Sequence, residues 1–308
     1  MTTLLYTHRA CLDHDPGPGH PECPARIEAV WAALDAPEFA GLIRREAPRA
    51  TMEALERVHP KAHIDRTLAL VPTKGYEAID GDTFISPGSG EAALRAAGAL
   101  TAAVDAVVAG EAKNAFCAVR PPGHHAEPST AMGFCLFNNA VVGAMQARAV
   151  HGLRRVAIVD FDVHHGNGSQ AVAEQDADLF YASTHEWPLY PGTGRASETG
   201  LGNVVNRPLR AGAGGPEFRT AFGEWIMPAL GQFAPDLVII SAGFDAHRDD
   251  PLAQLNLTES DFVWVTEQLV GFAERYCGGR LVSTLEGGYD LDALAASTAA
   301  HVAALMAA

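Results

Sequence analysis

The run V156-A-I-V-D-F-D-V-H-H-G-N-G168 sets two aspartates and two histidines directly after four apolar residues. A short apolar run of this kind reads as a buried strand in a parallel sheet, and a buried charge has to be paired or bound to a metal. Asp162 and His164 stand two residues apart, so in extended geometry both side chains project to the same side. A carboxylate and an imidazole on one face are a natural pair of ligands for a divalent ion. Three further apolar segments end in the same manner. Residues 115–119 run into R120-P-P-G-H-H-A126, residues 237–240 into S241-A-G-F-D245, and residues 281–285 into E286-G-G-Y-D290. Candidate strands thus deliver His, Asp and Tyr to one sheet edge, and Asp245 is the third ligand this pattern offers. Three N/O ligands without a thiolate predict a catalytic site with an open position for water. The imidazole favours zinc over magnesium, with iron(II), cobalt(II) and manganese(II) left open.

The elements that must position these residues are legible around them. Residues 4–6 and 179–182 also read as buried strands. Helical spacing covers 91–109, closed by Gly110, and 138–151, closed by Gly152. Thr258-x-x-Asp261 reads as a capping box opening a helix that reaches about Cys277, and residues 290–306 form a terminal helix. Strand and helix alternate from about residue 115 onward, which predicts an α/β fold: a mostly parallel sheet with helices on both faces. No composition shift or proline-rich linker divides the chain, so residues 1–308 are expected to form a single domain. The long irregular segments 8–25, 72–90, 184–202 and 242–257 are of the kind that carries function. In parallel sheets ligands bind beyond the carboxyl ends of the strands.

Composition removes several classes of function. The 308 residues include 37 acidic and 22 basic side chains, for a net charge of -15. That argues against a nucleic-acid binder, which needs a basic face, and is compatible with a cationic substrate. The 5 cysteines are scattered and never spaced C-x-x-C, against a disulfide framework or a thiolate zinc knuckle. The N-terminal residues do not read as a signal peptide, and no apolar run reaches membrane-span length. A cytoplasmic protein without a membrane partner is expected.

Taken together, R120-P-P-G-H-H-A126, G133-F-C-L-F-N-N139, D160-F-D-V-H-H-G-N-G168, Y190-P-G-T-G194, S241-A-G-F-D245, E286-G-G-Y289 and H20-P-E-C-P-A-R26 resemble the histone deacetylase family. The likeness is closest to its class II members and to bacterial deacetylase-like amidohydrolases, acetylpolyamine amidohydrolases among them. It covers essentially the whole chain and implies the arginase/deacetylase fold, with a parallel sheet of about eight strands between helical layers. It also implies roles. Asp162, His164 and Asp245 match zinc ligands, one ion per subunit. His124 and His125 match the tandem histidines beside the activated water, with His125 as general base and then acid. Asp160 matches the carboxylate orienting His124, and Asn167 stands where class I members carry a second carboxylate. Tyr289 matches the oxyanion donor, Phe134 and Tyr190 the walls of an acyl-lysine tunnel, and Gly133 the residue whose carbonyl accepts the substrate amide N–H. A structural potassium is implied near Asp160 and Ser183, and Arg26 is open to two readings, a place at the pocket floor as in relatives or an ordinary surface arginine. His165, Gly166 and Gly168 read as structural, the glycines as permitting a tight turn. Polyamine-selective relatives carry a glutamate where Leu252 stands, so an acyl-lysine or similar linear acyl-amine is the expected substrate, with an acetylpolyamine as the alternative. The resemblance leaves a homodimer or homotetramer open. A ureohydrolase of the same fold would hold two manganese ions, but Gly166 and His247 stand where ligands of that site would be needed. A non-catalytic binding protein would be expected to have lost Tyr289 or a ligand.

Overall fold

Ten strands make up the β-structure of the computed structural model, which describes residues 2–308. They are β1 (Thr3–Thr7), β2 (Ile43–Glu46), β3 (Glu77–Ala78), β4 (Phe84–Ile85), β5 (Asn114–Cys117), β6 (Val156–Asp160), β7 (Leu179–Glu186), β8 (Val204–Leu209), β9 (Leu237–Ala242) and β10 (Leu281–Leu285). Eight of them form one sheet in the order β2-β1-β5-β10-β9-β6-β7-β8, while β3 and β4 pair separately. Every neighbouring pair in the large sheet is parallel. The central strands β6, β9 and β10 are buried along their whole length, because helices cover both faces. Gly143 of the helix Asn139–His151 lies against Ile239 on one face. Ser283, in register with the adjacent Ile240, meets His301 of the helix Leu291–Met306 on the other.

The topology fixes where a ligand would sit. The chain steps outward from β6 to β7 and β8, then returns to β9 on the opposite flank of β6. A crevice opens beyond the carboxyl ends of the strands at such a reversal. The polar segments after β5, β6, β9 and β10 all end there.

The expected sheet is present, with two strands more than the apolar runs suggested. β2 reads I-R-R-E and β8 reads V-V-N-R-P-L. Both lie on sheet edges, where charge and proline are tolerated and the hydrophobic signal is lost. The strand expected at 115–119 is Asn114–Cys117, and residues 184–186 belong to β7 rather than to a loop. The helix expected from 91 begins at Ser89. Asn138 and Asp290, expected as first helical residues, are N-caps: their side chains accept the Val141 and Ala293 N–H groups, satisfying donors that the helix leaves free. The Thr258 capping box is formed as expected. Among the described residues no helix is long and apolar enough to cross a membrane.

Candidate metal centre and active site

β6 ends at Asp160, so Asp162 and His164 lie beyond it and do not share a side through strand alternation. A local turn brings them together: Asp162 Oδ1 accepts the His164 N–H at 2.9 Å, the side chain closing onto backbone two residues on. Asp245, from the end of β9, completes the group. His164 Nδ1 is 3.2 Å from Asp162 Oδ1 and 3.1 Å from Asp245 Oδ2, and the three ligand atoms lie within 4.8 Å of one another. The remaining carboxylate oxygens are held by backbone: Gly287 N–H donates to Asp162 Oδ2 at 2.8 Å and Val163 N–H to Asp245 Oδ1 at 2.9 Å. Gly287 is glycine because a Cβ there would lie 2.1 Å from Asp245 Oδ2 and 2.6 Å from Asp162 Oδ2.

The electrostatics of this group suit a cation. Burial opposes charging of His164, yet Asp162 and Asp245 outweigh it and lift its pKa to about 10. Burial and the neighbouring Asp162 push Asp245 up to about 7. Two buried carboxylates this close repel unless a positive charge lies between them. Two oxygen donors, on carboxylates held from behind by backbone N–H groups, and one imidazole nitrogen fit a catalytic divalent ion with positions left for water and substrate.

The tandem histidines stand beside this group on two different supports. His124 Nδ1 is 3.0 Å from Asp160 Oδ2, and His125 Nδ1 is 2.9 Å from Asn167 Oδ1. Burial disfavours the charged form of His124, but Asp162 and Asp160 prevail and raise its pKa to about 10. Burial, His124 and His164 together push His125 well below the ordinary histidine range. The two rings, with centroids 4.0 Å apart, therefore meet opposite electrostatic surroundings. Asp160 also accepts from Tyr181 Oη and from the Asp162 N–H. It is the cross-strand partner of Ser183, whose hydroxyl lies 2.8 Å from His185 Nδ1.

A cleft of about 210 Å³ leads down to His125, His164 and Tyr289, between Phe134, Gly133, Leu189, Tyr190, Leu252 and Asp82. Phe134 and Tyr289 meet edge to face at 5.9 Å. Gly133 and Phe134 both have positive φ, 57° and 68°. For phenylalanine this is a strained backbone, of the kind found where a site needs it. Burial raises the Tyr289 pKa well above the ordinary tyrosine range, so the phenol remains a hydrogen-bond donor at neutral pH. The fold thus gathers every residue the sequence singled out as ligand, acid–base group or cleft wall.

The comparisons with known proteins agree with this geometry. The histone deacetylase domain family matches residues 20–305. A chloroplastic histone deacetylase 14 from Arabidopsis thaliana is 39% identical, covering 98% of this chain and 76% of the relative. A histone deacetylase-like amidohydrolase from Pseudomonas aeruginosa is 39% identical over 93% of this chain and 81% of its own length. The crystal structure of the HDA15 HD domain superposes with a TM-score of 0.93 at 37% identity, covering 98% of this chain and 88% of that one. The chain belongs to the histone deacetylase family.

Behind the cleft of this histone deacetylase-family chain lies a buried network that sequence reading largely missed. Glu22 pairs with Arg26 and Arg120, and His14 stands 3.1 Å from it. Burial works against the Glu22 charge, but Arg120, His14 and Arg26 hold its pKa well below the usual range. Arg26 donates to the carbonyls of Gly288 and Glu286, both at 2.6 Å, with its guanidinium 4.8 Å from the Tyr289 ring centre. It braces the loop that carries Tyr289. Glu286 does the same for the histidines, accepting the Gly123 and His124 N–H groups at 2.6 and 3.2 Å. Asp250 accepts the N–H groups of Tyr289 and Leu252, so its carboxylate is committed to backbone. Two local signals pointed to the network: the H20-P-E-C-P-A-R26 string that offered Arg26 a place at the pocket floor, and the i,i+4 spacing of Glu22 and Arg26.

One reading needs correcting. Gly166 centres a tight γ-turn, closed by the Asn167 N–H donating to the His165 carbonyl at 2.9 Å, but its φ of -77° is open to any residue. A Cβ on Gly166 would lie 2.4 Å from Asp160 Oδ2, and one on Gly168 would lie 2.2 Å from the Ala126 carbonyl oxygen. Close packing, not backbone freedom, explains both. His165 is structural as read, bonded to Thr193 and Gln170.

Proposed function

We propose that the chain, acting as one catalytic domain over residues 1–308, removes acetyl or other short acyl groups from acyl-lysine or similar linear acyl-amines. The observation that carries this reading is the buried Asp162–His164–Asp245 group at the end of a narrow aromatic cleft, beside a histidine pair held by unlike partners, the Asp160 carboxylate for His124 and the Asn167 amide for His125. Those three residues would hold one divalent ion, zinc by ligand type, and that ion would supply the Lewis acidity that makes water nucleophilic and polarises the acyl carbonyl. The neutral His125 accepts the proton of the attacking water and later returns it to the departing amine. The charged His124, held by Asp160, stabilises developing negative charge. The Tyr289 hydroxyl donates to the carbonyl oxygen as it becomes anionic. Phe134 and Tyr190 wall the aliphatic stem, and the Gly133 carbonyl receives the amide N–H. The oxygens of Asp160 and Ser183, on adjacent strands, suit a structural potassium in their hardness.

Leu252 at the cleft supports an acyl-lysine over an acetylpolyamine, since an apolar lip leaves a second ammonium unpaired. Asp250, which could have supplied the charge, is turned onto the backbone instead. The half-buried Asp82 carboxylate also lines the cleft and favours the polyamine as the second reading. The test is a comparison of acetyl-lysine peptides with acetylspermidine on the purified, metal-analysed protein. The peptides are expected to lead by about tenfold in kcat/KM, and Leu252→Glu to shift the ratio toward the polyamine. Preference of the wild type for the polyamine, abolished by Asp82→Asn, would establish the second reading. Two manganese ions per chain would point to a ureohydrolase.

A further inference from the structure

We infer that Glu127 is a positioning residue that decides which ring nitrogen of His125 carries the proton; the catalytic consequence rests on the acyl-amine hydrolase reading. His125 Nδ1 lies 2.9 Å from Asn167 Oδ1, and Asn167 Nδ2 lies 2.9 Å from Glu127 Oε1. A carboxamide is nearly symmetric in shape and by itself can turn either its oxygen or its NH2 toward an imidazole. An ionised carboxylate only accepts. With Glu127 on the outer side, the Asn167 NH2 must point outward and Oδ1 must point at His125. His125 then donates from Nδ1 and keeps the lone pair on Nε2, the state a proton acceptor needs. Met132 Sδ, 3.4 Å from the same Nδ2, is a weak acceptor and favours the same orientation.

Glu127 is itself held in place. It forms a two-way backbone bridge with Thr130, its N–H donating to the Thr130 carbonyl at 2.9 Å. The contrast with the neighbouring ring explains why a distant carboxylate is needed at all. Asp160 touches His124 directly and leaves no ambiguity about which group donates. Asn167 transmits an orientation that only its own second partner can set.

The tautomer is read directly by 15N NMR of the metal-loaded protein labelled at histidine, with His125 assigned by its loss in His125→Ala. The wild type should show His125 protonated at Nδ1, and Glu127→Ala should populate the Nε2–H form. In steady-state assays with an acetyl-lysine peptide, Glu127→Ala should lower kcat by about 10- to 100-fold with KM little changed. Asn167→Asp placed on top of Glu127→Ala should restore kcat, because an aspartate accepts from either oxygen and needs no external orientation. Asn167→Asp alone sets two carboxylates against each other and should be worse than the double variant. That reciprocal rescue would not arise if Glu127 only supported the fold. Glu127→Gln keeps the shape and can still accept if it rotates, so it should fall between the wild type and Glu127→Ala. An unchanged His125 tautomer in Glu127→Ala overturns the proposal. So does full kcat in that variant. A tautomer shift in Glu127→Ala together with a wild type that hydrolyses no acyl-amine leaves the positioning role standing and rejects the hydrolase reading.

Discussion

His124 and His125 are adjacent in the chain and opposite in chemistry. The difference lies wholly in what each ring meets: the carboxylates of Asp162 and Asp160 for one, an amide and two further imidazoles for the other. Separating the pKa values of two neighbouring groups is how a site obtains a base and a fixed positive charge from the same residue type. Tyr289 completes the set as a phenol that burial keeps protonated. Tyr289→Phe should retain the fold and the metal while kcat falls by about 100-fold or more, the scale of a lost oxyanion donor. Metal analysis and single-turnover rates on the same preparation check this. A near-normal chemical step would remove the hydroxyl from the transition state.

At the scale of elements, the helix Asn139–His151 is tied to the tandem-histidine loop by its cap. Asn138 accepts the Val141 N–H, donates to the Ala126 carbonyl, and gives its own N–H to His59 Nε2 at 2.9 Å. His59 must be neutral to accept there, and burial lowers its pKa to about 4. His301, between the Thr266 and Ser283 hydroxyls, is lowered by burial to about 3. Both rings take up a proton near pH 6.5 when unfolded. Below that pH the unfolded chain binds more protons than the native one, so stability falls as pH drops from 6.5 toward those lower values. Each ring should cost about 2 kcal/mol by pH 5. Denaturant titrations should show the midpoint falling further from pH 7 to pH 5 in the wild type than in a His59→Gln/His301→Gln double variant, and an equal change in both would mean that these rings are charged in the native state.

For the whole molecule, the sheet edge at the β6–β9 reversal concentrates buried acids from distant parts of the chain: Asp160 and Asp162 after β6, Asp245 after β9, and Glu286 after β10. Burial raises Glu286 to about 7, with Asp160 and Asp162 adding to the effect. Such a cluster is stable only if cations answer it. An ion that binds the native state alone stabilises it by mass action, about 2.7 kcal/mol at a hundredfold excess over Kd. Chelation should therefore abolish turnover and also lower Tm. Zinc, cobalt or iron(II) should restore both, at one ion per chain by metal analysis. Full turnover by a demonstrably metal-free preparation would refute the metal requirement.

The sequence by itself determined the central strands, the capped helices and the set of polar residues at the strand ends. These are local matters: an apolar run, a cap and a turn lie within a few residues of one another. It also carried the family, because the motifs survive as short contiguous strings. The edge strands β2 and β8 were not legible, since a half-exposed strand need not be apolar. Only the tertiary structure decided that Asp162 and His164 converge through a side-chain turn instead of strand alternation. It alone joined Glu22 to Arg120 and Arg26 to the carbonyls of Glu286 and Gly288, contacts that span from about a hundred to more than two hundred and fifty residues. No periodicity records such pairs. A buried charge chooses its partner by proximity in the fold, and the sequence shows only that a partner must exist.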